Sequence, residues 1–121
     1  HITCNINQYY MKGMEIFNNK NNCFIIVSDD INWCKTEFEK NGLTKKYDII
    51  FSDETDELND LYLLFLCHNN IIANSSFSWW GSYLNKNENK KIVAPKIWFN
   101  PNNTNTPKDT HDIYFENIIV L

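Results

Sequence analysis

Five short apolar runs, spaced by helix-patterned stretches, constrain the fold of this 121-residue chain more than any other feature. Residues 23–27, 47–51, 71–74, 92–94 and 118–121 are rich in Ile, Val and Phe and too short to be stable helices, so they read as strands. The run at 23–27 is continuously apolar, which predicts a strand buried on both faces. Between the runs the period lengthens to that of a helix. Tyr9, Tyr10, Met14, Ile16 and Phe17 give residues 8–18 one apolar face, weakened by Gly13. Ser28, Asp29 and Asp30 open a helix to about Lys40 that ends at Asn41-Gly42. Thr55, Asp56 and Glu57 open another through Cys67, and a third runs over 76–85. Strands alternating with helices require βαβ crossovers, and hence one α/β domain over 1–121 with a Rossmann-like, mostly parallel sheet and flanking helices. Ligands of such sheets sit outside the carboxyl ends of the strands. Asp29, Asp30, Ser52, Asp53, Ser75, Ser76 and Lys96 fall at that edge.

The segment from Asn74 to Leu84, NSSFSWWGSYL, is the most distinctive at this edge. A buried strand runs into a hydroxyl-rich turn and then into a helix. The free amides and positive dipole end of such a helix suit a phosphate. Ser75, Ser76 and Ser78 can therefore hold a diphosphate or simply cap the helix, and capping needs only one of them. Asp29 and Asp30 divide between helix cap and ligand in the same way. Trp79 and Trp80 point about 100 degrees apart on a helix and are expected to be core. Trp98 is the better candidate for stacking on a sugar or a base. Lys96 can neutralise a phosphate, whereas His68 and His111 show no partner for acid–base work.

Composition narrows the function classes. A net charge of −4 and a pI near 5.2 argue against nucleic acid or an anionic membrane surface as the main partner. No apolar run approaches the ~20 residues of a membrane span, and no signal peptide is visible. The four cysteines lack metal-ligand spacing and are expected to be buried free thiols, with no metal site. The many asparagines carry no functional reading. All eleven cations are lysines, and arginine, the usual bidentate holder of a diphosphate, is absent. That gap, with the missing initial Met, leads to the expectation that the chain is a piece of a longer protein. A cytoplasmic or membrane-peripheral place in a microbial or viral setting is expected.

The segment 74–84 resembles the motif of the alpha-1,2-fucosyltransferases, glycosyltransferase family 11, whose pattern reads close to NSSFSWWGAWL. Only Ser82 and Tyr83 depart from it. Tyr9-Tyr10, Ser28-Asp29-Asp30, Cys67-His68-Asn69, Ala94-Pro95-Lys96 and Trp98-Phe99 extend the likeness over nearly the whole chain. The resemblance implies the C-terminal, donor-binding portion of a GT-B glycosyltransferase. It implies GDP-fucose as donor, a galactose-terminated glycan as acceptor, inversion at the transferred carbon, and no metal or other cofactor. It also implies that Asp60 reads the guanine, a carboxylate being the natural acceptor for paired N–H donors. Asn74, Ser75, Ser76, Phe77 and Ser78, with Asp29 and Asp30, are the other donor-binding positions. The family's arginine segment has no match in residues 2–8, and no general base can be assigned. The chain alone is expected to bind the donor weakly, with the missing N-terminal half of the enzyme as its partner.

Two rival readings remain. A non-catalytic nucleotide-sugar-binding module fits the lack of arginine. A phospho-acceptor signalling domain fits the acids at strand ends, but the spacing disfavours it, because only one strand precedes the one leading to Asp53.

Overall fold

A computed structural model describes residues 5–19, 21–53, 56–99, 102, 105, 111–116 and 118–121. It separates into two compact units, Asn5–Asp60 and one built on Leu61–Leu121. Among the described residues all the strand pairs are parallel: one sheet has two strands and the other three.

In the first unit, a π-helical turn (Ile6–Tyr10) leads into α1 (Met11–Ile16). The periodicity over 8–18 thus yields two short pieces. Strands β1 (Phe24–Ile26) and β2 (Ile49–Phe51) pair in register, Ile25 opposite Ile50. They are joined through α2 (Ile31–Lys40) and a four-residue helix α3 (Leu43–Lys46). Met14, Phe38 and Leu43 are almost fully buried, and the ring of Phe38 meets Phe51 edge-on at 6.0 Å. Each such side chain contributes about 1.5–3 kcal/mol by leaving water. The expectation that β1 is buried on both faces is not met. Ile25 and Ile50 share one face of the two-stranded sheet and are 39% and 54% exposed.

Helix α2 starts and stops where its chemistry dictates. The Asp30 carboxylate accepts from the Trp33 amide at 3.2 Å, so Asp30 is the cap, and Ser28 accepts from the Asp30 amide at 3.0 Å. At the other end the chain turns through Gly42 at φ 75°, whose amide donates to Glu39. An L side chain is strained there, so Gly42→Ala should lower the stability of this unit by about 1 kcal/mol in a denaturant titration. An unchanged midpoint would contradict the left-handed turn.

Helix α4 (Glu57–Leu66) begins at the end of the first unit and continues into the second. There β3 (Asn70–Ile71), β4 (Ile92–Ala94) and β5 (Ile118–Val120) form a sheet in the order β3-β4-β5. β4 is the central strand, and all three of its side chains are fully buried. Ile72, Ile92 and Ala94 form the core, with Trp98, Tyr114, Phe115 and Ile118 packed around it. Helix α5 (Ser76–Tyr83) follows β3. Gly81 lies where a Cβ would stand 2.8 Å from Leu64 Cβ, so only glycine lets α5 approach this closely.

Asparagine does structural work in this unit. The Asn85 amide, buried at the end of α5, donates to Cys67 O at 2.7 Å and Asn70 Oδ1 at 2.9 Å, and Asn70 donates to Leu64 O at 2.9 Å. These bonds satisfy carbonyls that the end of α4 leaves open. The cysteines depart from expectation in one respect. Cys34 is buried, but Cys23 is exposed and Cys67 half-buried; all three are free thiols. Cys4 lies outside the described residues. No helix among the described residues is long and apolar enough to cross a membrane.

Candidate functional site

The turn from β3 into α5 is held by two serines that work on each other. Ser75 is the N-cap, its Oγ accepting from the Ser78 amide at 3.1 Å. The Ser78 hydroxyl is buried and lies 3.1 Å from Ala73 O and 3.2 Å from Ser75 O. Both hydroxyls are thereby committed to shaping the turn. Ser76, between them in sequence, is exposed. The first-turn amides that follow the cap have no carbonyl behind them within the helix, so the start of α5 presents donors and a positive dipole end.

Beside that helix start is an open pocket of about 270 Å³ lined by Ser76, Trp79, Trp80, Trp98, Phe99, Asp112 and Ile113. Its walls come from segments following the carboxyl ends of β3 and β4, with a short 3-10 turn (His111–Ile113) closing one side. Asn74 ties two of these segments together: its side-chain amide donates to Trp98 O at 3.1 Å. The indole N–H of Trp79 donates to Ile113 O at 2.7 Å and so anchors the 3-10 turn. The Tyr114 hydroxyl donates to Pro95 O at 2.7 Å, fixing the same segment to the end of β4. Burial raises the pKa of that hydroxyl, which keeps it a donor.

The two tryptophans do not both enter the core. Trp79 is half-buried and stacks on Tyr83 at 5.0 Å with an interplanar angle of 7°. Trp80 is 50% exposed and meets Trp79 edge-on at 4.9 Å. Consecutive helical positions diverge, so Trp79 faces the packed side and Trp80 is left on the pocket wall. At the far end of α5, the Lys90 ammonium donates to Ser82 O, Tyr83 O and Asn85 O at 2.8–3.1 Å. A cation there complements the negative end of the dipole. Partial burial lowers its pKa.

Of the positions singled out in the sequence, Ser76 and Trp98 line the pocket, and Asn74 positions Trp98. Ser75 and Ser78 shape the turn, and Phe77 is exposed without lining the pocket. Asp29, Asp30 and Asp60 belong to the other unit. There Asp29 is exposed, Asp30 caps α2, and Asp60 is 9% exposed with Ser52 donating to its Oδ1 at 3.2 Å. Phe99, Asp112 and Ile113 were not foreseen. His111 gains a partner: its Nε2 lies 3.1 Å from Asp112 Oδ1. Neither residue sits in a periodic stretch, and only their adjacency in the sequence pointed to the pair. Among the described residues, no three His, Cys, Asp or Glu side chains converge as a metal site would require.

Fold and site together define a parallel α/β protein whose pocket sits outside the carboxyl ends of its strands. The model of Glycosyl transferase family 11 matches residues 1–119. The chain belongs to this family, and its parallel sheets and flanking helices are those of a Rossmann-like glycosyltransferase domain. It is similar to the O-antigen biosynthesis glycosyltransferase WbnK of Escherichia coli, with 40% identity over 80 residues, 65% of this chain and 26% of that protein. It is also similar to an alpha-1,2-colitosyltransferase of Escherichia coli, with 35% identity over 96 residues, 76% of this chain and 32% of that protein. The chain thus spans between a quarter and a third of the length of these curated relatives. No solved structure matches it.

The serines separate cleanly by experiment. Ser78→Ala should lower the melting temperature, with a loss of about 1–2 kcal/mol, because the partners of a buried hydroxyl are left unmatched. Ser76→Ala should leave the melt unchanged. Equal effects from the two variants in thermal unfolding would contradict this division of roles.

Proposed function

We propose that the chain is the donor-binding part of an inverting alpha-1,2-fucosyltransferase, which moves L-fucose from GDP-fucose to the 2-hydroxyl of a terminal galactose without a metal. The observation that carries this reading is the match of residues 1–119 to family 11. In such a reaction the acceptor oxygen attacks the anomeric carbon while the bond to the diphosphate breaks. The charge that develops on the departing GDP must be met by fixed donors. The exposed Ser76 hydroxyl and the amides opening α5 are the donors assigned to the diphosphate. Ser75 and Ser78 act by holding those amides in position. Lysine supplies every positive side chain of this chain, so tight bidentate capture of the diphosphate is not expected from it alone.

Asp60 is assigned to the guanine base. A carboxylate offered to paired N–H donors discriminates strongly against a base that lacks them. Asp29 is retained as a candidate for the donor's polar groups, and Asp30 serves its helix.

A second reading is favoured by one of the relatives, whose name makes colitose the transferred sugar. Colitose lacks the 3-hydroxyl of fucose. Transfer assays of the full-length enzyme with the two GDP-sugars, read as a ratio of kcat/KM, decide between them.

Calorimetric titration of this chain with GDP-fucose, GDP, ADP and UDP-galactose tests the donor assignment. Binding confined to the guanine ligands is expected, near millimolar or about 4 kcal/mol. Asp60→Asn keeps an acceptor for Ser52 but offers guanine an amide where it needs a carboxylate. The variant should fold normally and lose the preference for GDP over ADP. Unchanged discrimination would remove Asp60 from the site.

A further inference from the structure

Helices α4 and α5 lie side by side, with Gly81 set against Leu64 and Leu61. Ser78, Ser82 and Asn85 are buried and mark the inner side of α5. The outer side of both helices is apolar and open to solvent. Along α4, one unbroken helix, Leu58, Tyr62 and Leu66 recur every four residues and are 70%, 58% and 58% exposed. Along α5 and its cap, Phe77, Trp80 and Leu84 recur at helical spacing and are exposed as well. The two stripes meet at Phe65. Its ring stacks on Tyr62 at 5.9 Å and lies under the Lys86 ammonium at 5.4 Å. Apart from Trp80, none of these side chains lines the pocket. Six residues of this size offer on the order of 600 Å² of apolar surface, the upper end of what a monomer carries. That is close to the ~800 Å² per partner of a standard protein interface.

The charges around this face sit at opposite ends. Asp56 and Glu57 are exposed at the start of α4, Lys86 is exposed past the end of α5, and α5 itself carries no charge. Glu57 stands five residues before Tyr62, and Phe65, beneath Lys86, stands three after it. With two α4 helices antiparallel about Tyr62, Lys86 of one copy comes roughly level with Glu57 of the other, about 3 Å apart along the axis. The same operation sets Leu58 on Leu66 and Leu66 on Leu58, the self-match that a two-fold contact requires. A lipid surface fits less well, because acids stand at the rim and the chain carries a net charge of −4.

We propose that the outer face of α4 and α5 is a two-fold contact between two copies of this chain, with Tyr62 at the axis. Leu58 of each copy packs on Leu66 of the other, Phe77, Trp80 and Leu84 extend the apolar contact, and Glu57 pairs with Lys86 at both ends. Its aromatic centre and charged rim follow the anatomy of protein interfaces. The proposal goes beyond the donor-binding reading and stands or falls apart from it.

Sedimentation equilibrium of the chain from low to high micromolar concentration reads the contact directly. The mass should rise from 14.4 kDa towards twice that value. Leu66→Glu and Tyr62→Glu should each hold the chain at the single mass, with the far-UV circular dichroism spectrum of the parent, since both side chains are exposed. The rim gives the sharper test, because each charge pair occurs twice across the axis. Glu57→Lys and Lys86→Glu should each weaken the association by about tenfold, and the double variant carrying both should regain the parent's behaviour. A chain that stays at the single mass throughout overturns the proposal. So does an association that Leu66→Glu leaves untouched, or a double variant no better than the single ones. Co-sedimentation with vesicles of phosphatidylcholine and phosphatidylglycerol is the last control. No binding is expected; binding that Leu66→Glu abolishes gives the face to lipid and overturns the two-fold contact.

Discussion

Everything at the candidate site depends on one reciprocal arrangement: Ser75 accepting from the Ser78 amide, with the Ser78 hydroxyl turned back on Ala73 and Ser75 carbonyls. It converts the end of a buried strand into the start of a helix within two or three residues. It points the uncommitted amides and Ser76 outward. Gly81 then lets the helix settle against Leu64, at a separation that a single added carbon would prevent. The fixed helix in turn sets Trp79 and Trp80, and Trp79 positions the 3-10 turn that carries Asp112. A change to the cap would move the pocket as well as the amides that open α5.

The alternation of strands and helices was legible in the sequence because a buried parallel strand has to be apolar and helix ends have to be capped. β4 is fully buried, as its three apolar residues imply, and α2 ends at the glycine that the sequence marked. Solvent exposure was less legible. Ile25 reads as core from its neighbours, yet it shares an open sheet face with Ile50. Helix α3 is four residues long, too short for any periodicity to appear. Trp80 looked like core by residue type, but the angle between consecutive helical positions leaves it on the pocket wall.

The chemistry of the site was legible only in part. The serine motif stood out because three hydroxyls exceed what a cap requires, and the structure divides them two for the turn and one for the pocket. Asp112 and its partner His111 carried no such excess: an acid next to a histidine near a polar loop is unremarkable until the fold brings it beside three tryptophan rings. The asparagines gave no functional signal, and Asn70 and Asn85 are indeed spent on carbonyls at the end of α4. Asn74 is different, since its bond to Trp98 O links the serine turn to the aromatic wall.

The central claim is that a donor nucleotide meets the chain at the opening of α5. Amide chemical-shift mapping of the chain titrated with GDP tests this most directly. The account predicts the largest shifts at Ser76 and Phe77, with smaller ones at the Trp98 indole, and little change along β1 and α1. Shifts that spare the first turn of α5 while GDP binds elsewhere would contradict it.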